Sequence, residues 1–270
     1  MHIDRKHALA AFRDYTAAYD PANPRIALKI AHTYRVARMA EEIAAACHMG
    51  KEDQDLAWLC GLLHDVGRFE QVRRYDTFSD AKSVSHAELG THVLFGDALD
   101  GQGETIRSYV EDTDEDQLLR DAVFWHSALA LPAGMDERTR TFCGILRDAD
   151  KIDILKVNYL ESPESNYGIS EAALRASAVT PEVVDTFYAH QIVPFSIRHE
   201  PADMLVGHIC FVWDLSQRAS IEAMVKEGYL FWMLAYPFTN EETARTFQKM
   251  DEHMRGWLEA EGLEVPSPSA

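Results

Sequence analysis

"WLCGLLHDVGRFEQ", residues 58–71, begins as an apolar helix and ends on an imidazole and a carboxylate side by side, His64 and Asp65. Trp58, Leu59, Leu62 and Leu63 lead straight into the pair, and Gly67 follows almost at once. A carboxylate in an apolar setting is costly unless a cation or several donors meet it. The doublet therefore asks what positive group waits at the end of a core helix.

The same oddity recurs along the chain. Apolar residues return at spacings of three and four, as in Leu28, Val36, Met39 and Ile43, which is the period of helices packed by one face. This predicts helices at roughly 4–19, 25–48, 52–66, 84–99, 115–126 and 137–160, with others near 170–178, 181–190, 201–214, 216–226 and 240–261. Pro24 and Pro181 suit helix starts. Strand-like alternation is nearly absent, so the fold is expected to be all-α. His32 lies within the apolar stripe of the second helix, one turn after Leu28. His86 opens the stripe of Leu89, Val93 and Leu94, and His126 ends that of Leu119, Ala122 and Val123. Asp150 sits between Leu146 and Ile154. With His64 and Asp65, six metal-capable side chains point inward from five helices. Taken singly, each histidine reads as a hydrogen-bonded core residue. Together with two aspartates they suit a divalent ion, Mn, Fe, Zn or Ni, with Mg less suited to so many imidazoles. His208, among Met204, Leu205, Phe211 and Val212, reads as a core residue or one placed over a pocket. His92 points away from the face that carries His86, and His2, His7, His48, His190 and His253 read as surface or terminal.

Composition narrows the function. The formal net charge of −18 over 270 residues repels nucleic acid polymers and acidic membranes, while a small substrate in a locally positive pocket remains allowed. No apolar run is long enough to span a bilayer, and the opening "MHIDRKHALAAFRDY" lacks the apolar stretch of a secretory signal. A cytoplasmic protein is the expectation. Cys47, Cys60, Cys143 and Cys210 form no CxxC pair and read as small buried hydrophobes. Residues 67–83, "GRFEQVRRYDTFSDAKS", show no steady period and read as a functional loop. "EDTDED", 111–116, reads as a solvated loop or helix start without the glycine and spacing of a calcium loop. The "VPSPSA" end reads as frayed. The best division is a core half, 1–160, and a C-terminal half, 161–270, whose aromatic stretches read as core or homo-oligomer interface and whose helices are expected to pack on the first half and shape a pocket.

The order His32, then His64–Asp65 followed by "VGR", then Asp150 in "LRDADKIDIL", resembles the HD-domain superfamily of metal-dependent phosphohydrolases over about residues 25–157. The resemblance implies a helical bundle in which His32, His64, Asp65 and Asp150 hold one metal ion. His86 in "SVSHAELG" and His126 in "VFWHSAL" fit the added histidines of two-metal members, in which the doublet aspartate bridges both ions. Two departures matter. Arg68 stands where many relatives have lysine, and no GYP motif follows, so cyclic di-GMP hydrolysis is unsupported.

Two divalent ions would carry +4 against −2 from Asp65 and Asp150, a positive site suited to a phosphate. A metal lowers the pKa of bound water from about 16 towards about 7, so Asp65 and Arg68 form the expected catalytic pair. Arg68 offers a planar fork for phosphate, with Arg35, Lys82 and Lys151 as further substrate-binding candidates. Asp153 is a candidate acceptor for a ligand histidine N–H. Three functions compete: hydrolysis of a small phosphorylated metabolite such as a nucleotide, a di-iron oxygenase of HD type using the same ligands, and a silent binding module. The complete ligand set argues against the last. The basic residues beside the ligands favour the first.

Overall fold

The computed structural model describes residues 1–96 and 105–266. Among them the secondary structure is helical throughout, with no strand, and no helix is long and apolar enough to cross a membrane. The all-α expectation holds. The chain gathers into two compact units, Met1–Asp150 and Lys151–Ala270. The division falls inside a long helix, ten residues before the boundary that the sequence suggested.

In the first unit, α1 (Arg5–Thr16) starts from Asp4, whose carboxylate accepts from the Lys6 and His7 backbone N–H groups. The longer α2 (Pro24–Ala46) has Asn23 as its cap and Pro24 in its first turn, where a missing N–H costs nothing. It packs along α3 (Lys51–Leu63) at very short range. A Cβ on Gly61 would lie 2.5 Å from Ala37 Cα, so only glycine permits the approach. That contact brings the helix carrying His32 against the helix ending at His64.

Four more helices follow: α4 (Val66–Tyr75), α5 (His86–Phe95), α6 (Asp116–Trp125) and α7 (Glu137–Leu160). The first of these corrects the sequence reading, because a helix occupies most of the expected loop 67–83. Its period was hidden by a buried acid. Val66, Phe69 and Val72 face the core, but so does Glu70, which accepts from Tyr19 at 2.5 Å and pairs with Arg73 and Arg74. The helix ends at Asp76 in the left-handed region, φ 50°. Residues 76–85 then form an irregular strap with one 3-10 turn, Asp80–Lys82. At the end of α5, Gly96 closes the helix at φ 75°; residues 97–99 of the expected 84–99 helix lie outside the described residues. The acidic run 111–116 is a loop and helix start, as expected, with Arg107 donating to the Val110, Glu111 and Asp112 carbonyls and pairing with Asp116.

The second unit is built from shorter helices: α8 (Pro163–Tyr167), α9 (Glu171–Ala176), α10 (Pro181–Tyr188), α11 (Pro201–Ile209), α12 (Arg218–Glu227), α13 (Tyr229–Leu234) and α14 (Glu241–Ala260). Its α8 was not anticipated, being only five residues long, too short for a period to register; α13 falls within one of the aromatic stretches. Buried Asp203 organises the start of α11, accepting from Thr180, His199 and Glu200. The four cysteines are free thiols, three buried and Cys47 half-buried. Of the "VPSPSA" end, residues 267–270 lie outside the described residues.

Candidate metal centre

All six side chains of the expected ligand set meet in the first unit. His64 closes α3 and Asp65 opens α4, so the doublet is the junction of two helices. His86 is the first residue of α5, and His126 closes α6. His32 and Asp150 project from within α2 and α7. The end of α6 is pinned by Arg147, one turn before Asp150, which donates to the Trp125, Ala128 and Leu129 carbonyls. Such a cation satisfies the last carbonyls of a helix and fixes where His126 points.

The Asp65 carboxylate, 3% exposed, faces two groups at once. Its Oδ2 lies 3.6 Å from His32 Nε2 and 3.4 Å from His64 Nε2. Asp150 Oδ1 joins that group at 3.1 Å from His32 Nε2 and 3.9 Å from His64 Nε2. The other oxygen, Oδ1, lies 3.6 Å from His86 Nε2 and 3.7 Å from His126 Nε2. Ligands held about 2.0–2.1 Å from one ion lie roughly 2.9–3.4 Å apart at right-angled to tetrahedral geometry; the 3.1 and 3.4 Å separations match that range, and the others, at 3.6–3.9 Å, lie a little beyond it. His32, His64 and Asp65 form one buried group able to hold a metal, and Asp65, His86 and His126 another.

The tautomers strengthen the fit. His64 Nδ1 lies 2.8 Å from the Gly61 carbonyl, His126 Nδ1 2.6 Å from the Val123 carbonyl and His86 Nδ1 2.7 Å from Asp80 Oδ2. Each acceptor offers only lone pairs, so in the neutral rings the hydrogen sits on Nδ1 and Nε2 is bare. Yet the Nε2 atoms of His86 and His126 are 2.9 Å apart, and that of His64 is 3.4 Å from Asp65 Oδ2. Bare lone pairs at such distances repel unless a cation lies among them. The donor set fits divalent metal.

Electrostatics agree. Burial works against the charge of Asp65, but the Lys29 ammonium leads the groups that hold the carboxyl well below the usual range. Burial opposes Asp150 likewise, and its bond to His32 overcomes it. Burial lowers His86 to about 4, so it is neutral, the ligand form, at pH 7. Asp80 lies at about 2, where burial is overcome chiefly by its bond with His86.

A family model for the HD domain matches residues 30–155, the stretch that holds every one of these six side chains. Residues 30–155, a little under half of the chain, are thus an HD domain, the domain of a superfamily of metal-dependent phosphohydrolases. It is also similar to Ribonuclease Y of Geobacillus thermodenitrificans and of Geobacillus kaustophilus, each 28% identical over 169 residues, which make up 60% of this chain and 29% of the relative. The chain thus spans under a third of the length of these curated relatives. No solved structure matches at the same level of significance.

Around the candidate ligands of the HD domain, the expected cations divide. Arg68, 17% exposed, lies between the two acids: its Nε is 3.5 Å from Asp65 Oδ1, and its Nη1 donates to Gln71, the Phe78 carbonyl and Asp80. Arg35 is half-buried one turn beyond His32, and Lys82 is exposed at the end of the 3-10 turn. Lys151 pairs with Asp214 at 2.8 Å. Asp153 is buried, but the acceptors of the His64, His86 and His126 N–H groups are Gly61, Asp80 and Val123. Two residues of the site escaped the sequence reading. Lys29 places its Nζ 2.6 Å from Asp65 Oδ2 while 18% exposed, and its one signal was its position one turn before His32. Asp80 had none, since the strap that carries it has no period.

Proposed function

We propose that the HD domain is a metal-dependent phosphohydrolase acting on a small phosphorylated metabolite, a nucleotide foremost. The observation that carries this reading is Asp65, with one carboxylate oxygen turned to His32 and His64 and the other to His86 and His126. In this reading His32, His64, Asp65 and Asp150 hold one divalent ion, and His86, His126 and the shared Asp65 hold a second. The imidazole-rich set suits Mn, Fe, Zn or Ni ahead of Mg. When bound, such ions supply Lewis acidity that makes a water acidic enough to attack phosphorus near neutral pH.

The chain's own groups do the rest. Lys29 and Arg68 bring two positive charges beside Asp65, where a phosphate oxygen would gain from them. Arg68 also ties Asp80 to α4, so it positions the carboxylate that fixes the His86 ring. Arg35 and Lys82 complete the basic surroundings. Lys151 is left out of the proposal, because Asp214 already answers its charge.

The likeness to Ribonuclease Y favours one second reading, hydrolysis of an RNA phosphodiester. A net charge of −18 opposes binding a long polyanion, which keeps the small substrate first. The deciding assay is anaerobic: metal-reconstituted protein incubated with nucleotides, sugar phosphates and a short RNA. Phosphate released from a nucleotide without oxygen supports the proposal. RNA cleaved with every small substrate untouched selects the second reading. Iron-dependent oxygen uptake with no phosphate ester cleaved sinks both in favour of a di-iron oxygenase.

Two variants probe the supporting residues. Asp80→Ala removes the acceptor that holds the His86 ring, and such outer partners are worth about 10–100-fold in metal affinity. The second ion should weaken by that factor in a calorimetric titration while the first is unchanged; equal weakening of both would contradict the role. Lys29→Met removes a cation that competes for Asp65 Oδ2. A charge-assisted hydrogen bond contributes about 1.5–3 kcal/mol, so the ion on the His32 side should bind roughly tenfold or more tightly while KM for an anionic substrate rises. Weaker metal binding in this variant would refute the competition.

A further inference from the structure

The C-terminal unit holds a cavity of about 260 Å³ that the hydrolase reading does not use. Among its lining residues Trp232 stands at right angles to two neighbouring tyrosine rings. Trp232 lies 5.3 Å from Tyr159 with the planes at 89°, and 5.8 Å from Tyr236 with the planes at 88°. Glu161 and Glu171 also line the cavity, and among the described residues no Lys, Arg or His does. Tyr159 is 52% exposed, an unusual investment of aromatic surface in contact with water.

This chemistry discriminates among ligands. A flat base would stack on a parallel face, and both neighbours of Trp232 stand perpendicular to it. A metal ion needs a shell of converging donors, and neither Glu161 nor Glu171 belongs to a group able to hold one among the described residues. A bare ammonium is strongly hydrated and would need several acceptors to replace its water. A methylated ammonium is rounded and poorly hydrated, gains from aromatic faces turned towards its charge, and is completed by nearby carboxylates. The same cluster already holds an internal cation: the Lys156 ammonium sits 5.4 Å over Tyr229, a ring 5.3 Å from Tyr159.

We propose that this cavity binds a small, free, methylated ammonium compound of the size and chemistry of choline. The proposal is independent of the metal centre and of the reaction assigned to it. The volume accommodates a headgroup-sized cation, which favours a free molecule over the end of a longer one.

The test is a titration of the full-length protein with choline chloride, followed by calorimetry and by ligand-observed NMR, beside 3,3-dimethylbutanol, the uncharged molecule of the same shape. Choline is expected to bind saturably at millimolar concentration or below, and the neutral analogue roughly tenfold more weakly, the scale of a cation–π contribution. Trp232→Leu should abolish binding. Because Trp232 is half-buried, the exposed Glu171→Gln variant provides a second arm, in which choline weakens and the neutral analogue does not. Equal affinity for the two ligands, or no saturable choline binding by the wild-type protein, would overturn the proposal. Sedimentation with phosphatidylcholine vesicles at headgroup concentrations where free choline does not bind would overturn the assignment to a free ligand.

Discussion

An Asp65→Ala protein is expected to bind neither divalent ion, whereas His126→Ala should lose only one. The difference follows from geometry. Asp65 Oδ2 belongs to the group of His32, His64 and Asp150, and Oδ1 to the group of His86 and His126. No other carboxylate among the described residues is shown shared in this way. Removing it should cost more than the roughly 10–100-fold typical of an outer partner, with activity falling alongside occupancy. The fold should survive. Lys29 loses its carboxylate, but at 18% exposure its flexible stem can carry the ammonium into water, so the penalty stays well below the about 3–5 kcal/mol of breaking a fully buried pair. Elemental analysis of protein purified without chelator reads the occupancy, and helical circular dichroism reads the fold. Retention of either ion at wild-type affinity, in a protein with an unchanged spectrum, would sink the bridging assignment.

The candidate ligands were legible because helices are periodic. His32, His86 and His126 sit where the three-four spacing calls for apolar side chains, and an imidazole there stands out. Asp150 stood out more, since a carboxylate on such a stripe requires an answer. The groups that tune the ligands were not legible, for three physical reasons. Lys29 occupies a helix position where lysine is ordinary, and only its 2.6 Å approach to Asp65, across helices, gives it meaning. Asp80 is carried by an irregular strap, and irregular chain has no period from which to read a direction. Backbone acceptors such as the Gly61 and Val123 carbonyls exist at every residue. The same logic explains α4: Glu70 is buried but paired with two arginines and a tyrosine, so the helix looks polar in sequence and apolar in space.

The fold also positions His86 through a backbone contact that sequence alone left unexplained, and this yields the second large effect. Gly67 and Gly90 let α4 and α5 touch. A Cβ on Gly67 would overlap the His86 carbonyl oxygen and lie 2.5 Å from Gly90 N and 2.9 Å from Gly90 Cα. All three are backbone atoms, so no side-chain rotation relieves the clash and α5 itself must shift. His86 begins that helix, and its Nε2 stands 3.6 Å from Asp65 Oδ1 and 2.9 Å from His126 Nε2; a displacement of a few tenths of an ångström would pull it from the shared carboxylate. Overpacking of this kind costs about 1–3 kcal/mol, and more where the backbone must yield. At about 2–4 °C per kcal/mol for a chain of this size, Gly67→Ala should melt roughly 5–10 °C lower. It should also lose the ion on the His86 side while keeping the one held by His32, His64 and Asp150. Gly134→Ala is the control, since its Cβ would meet nothing within 4 Å, and it should change neither melting nor metal content. A Gly67→Ala protein with wild-type melting and both ions bound would show that the α4–α5 approach does not set the place of His86.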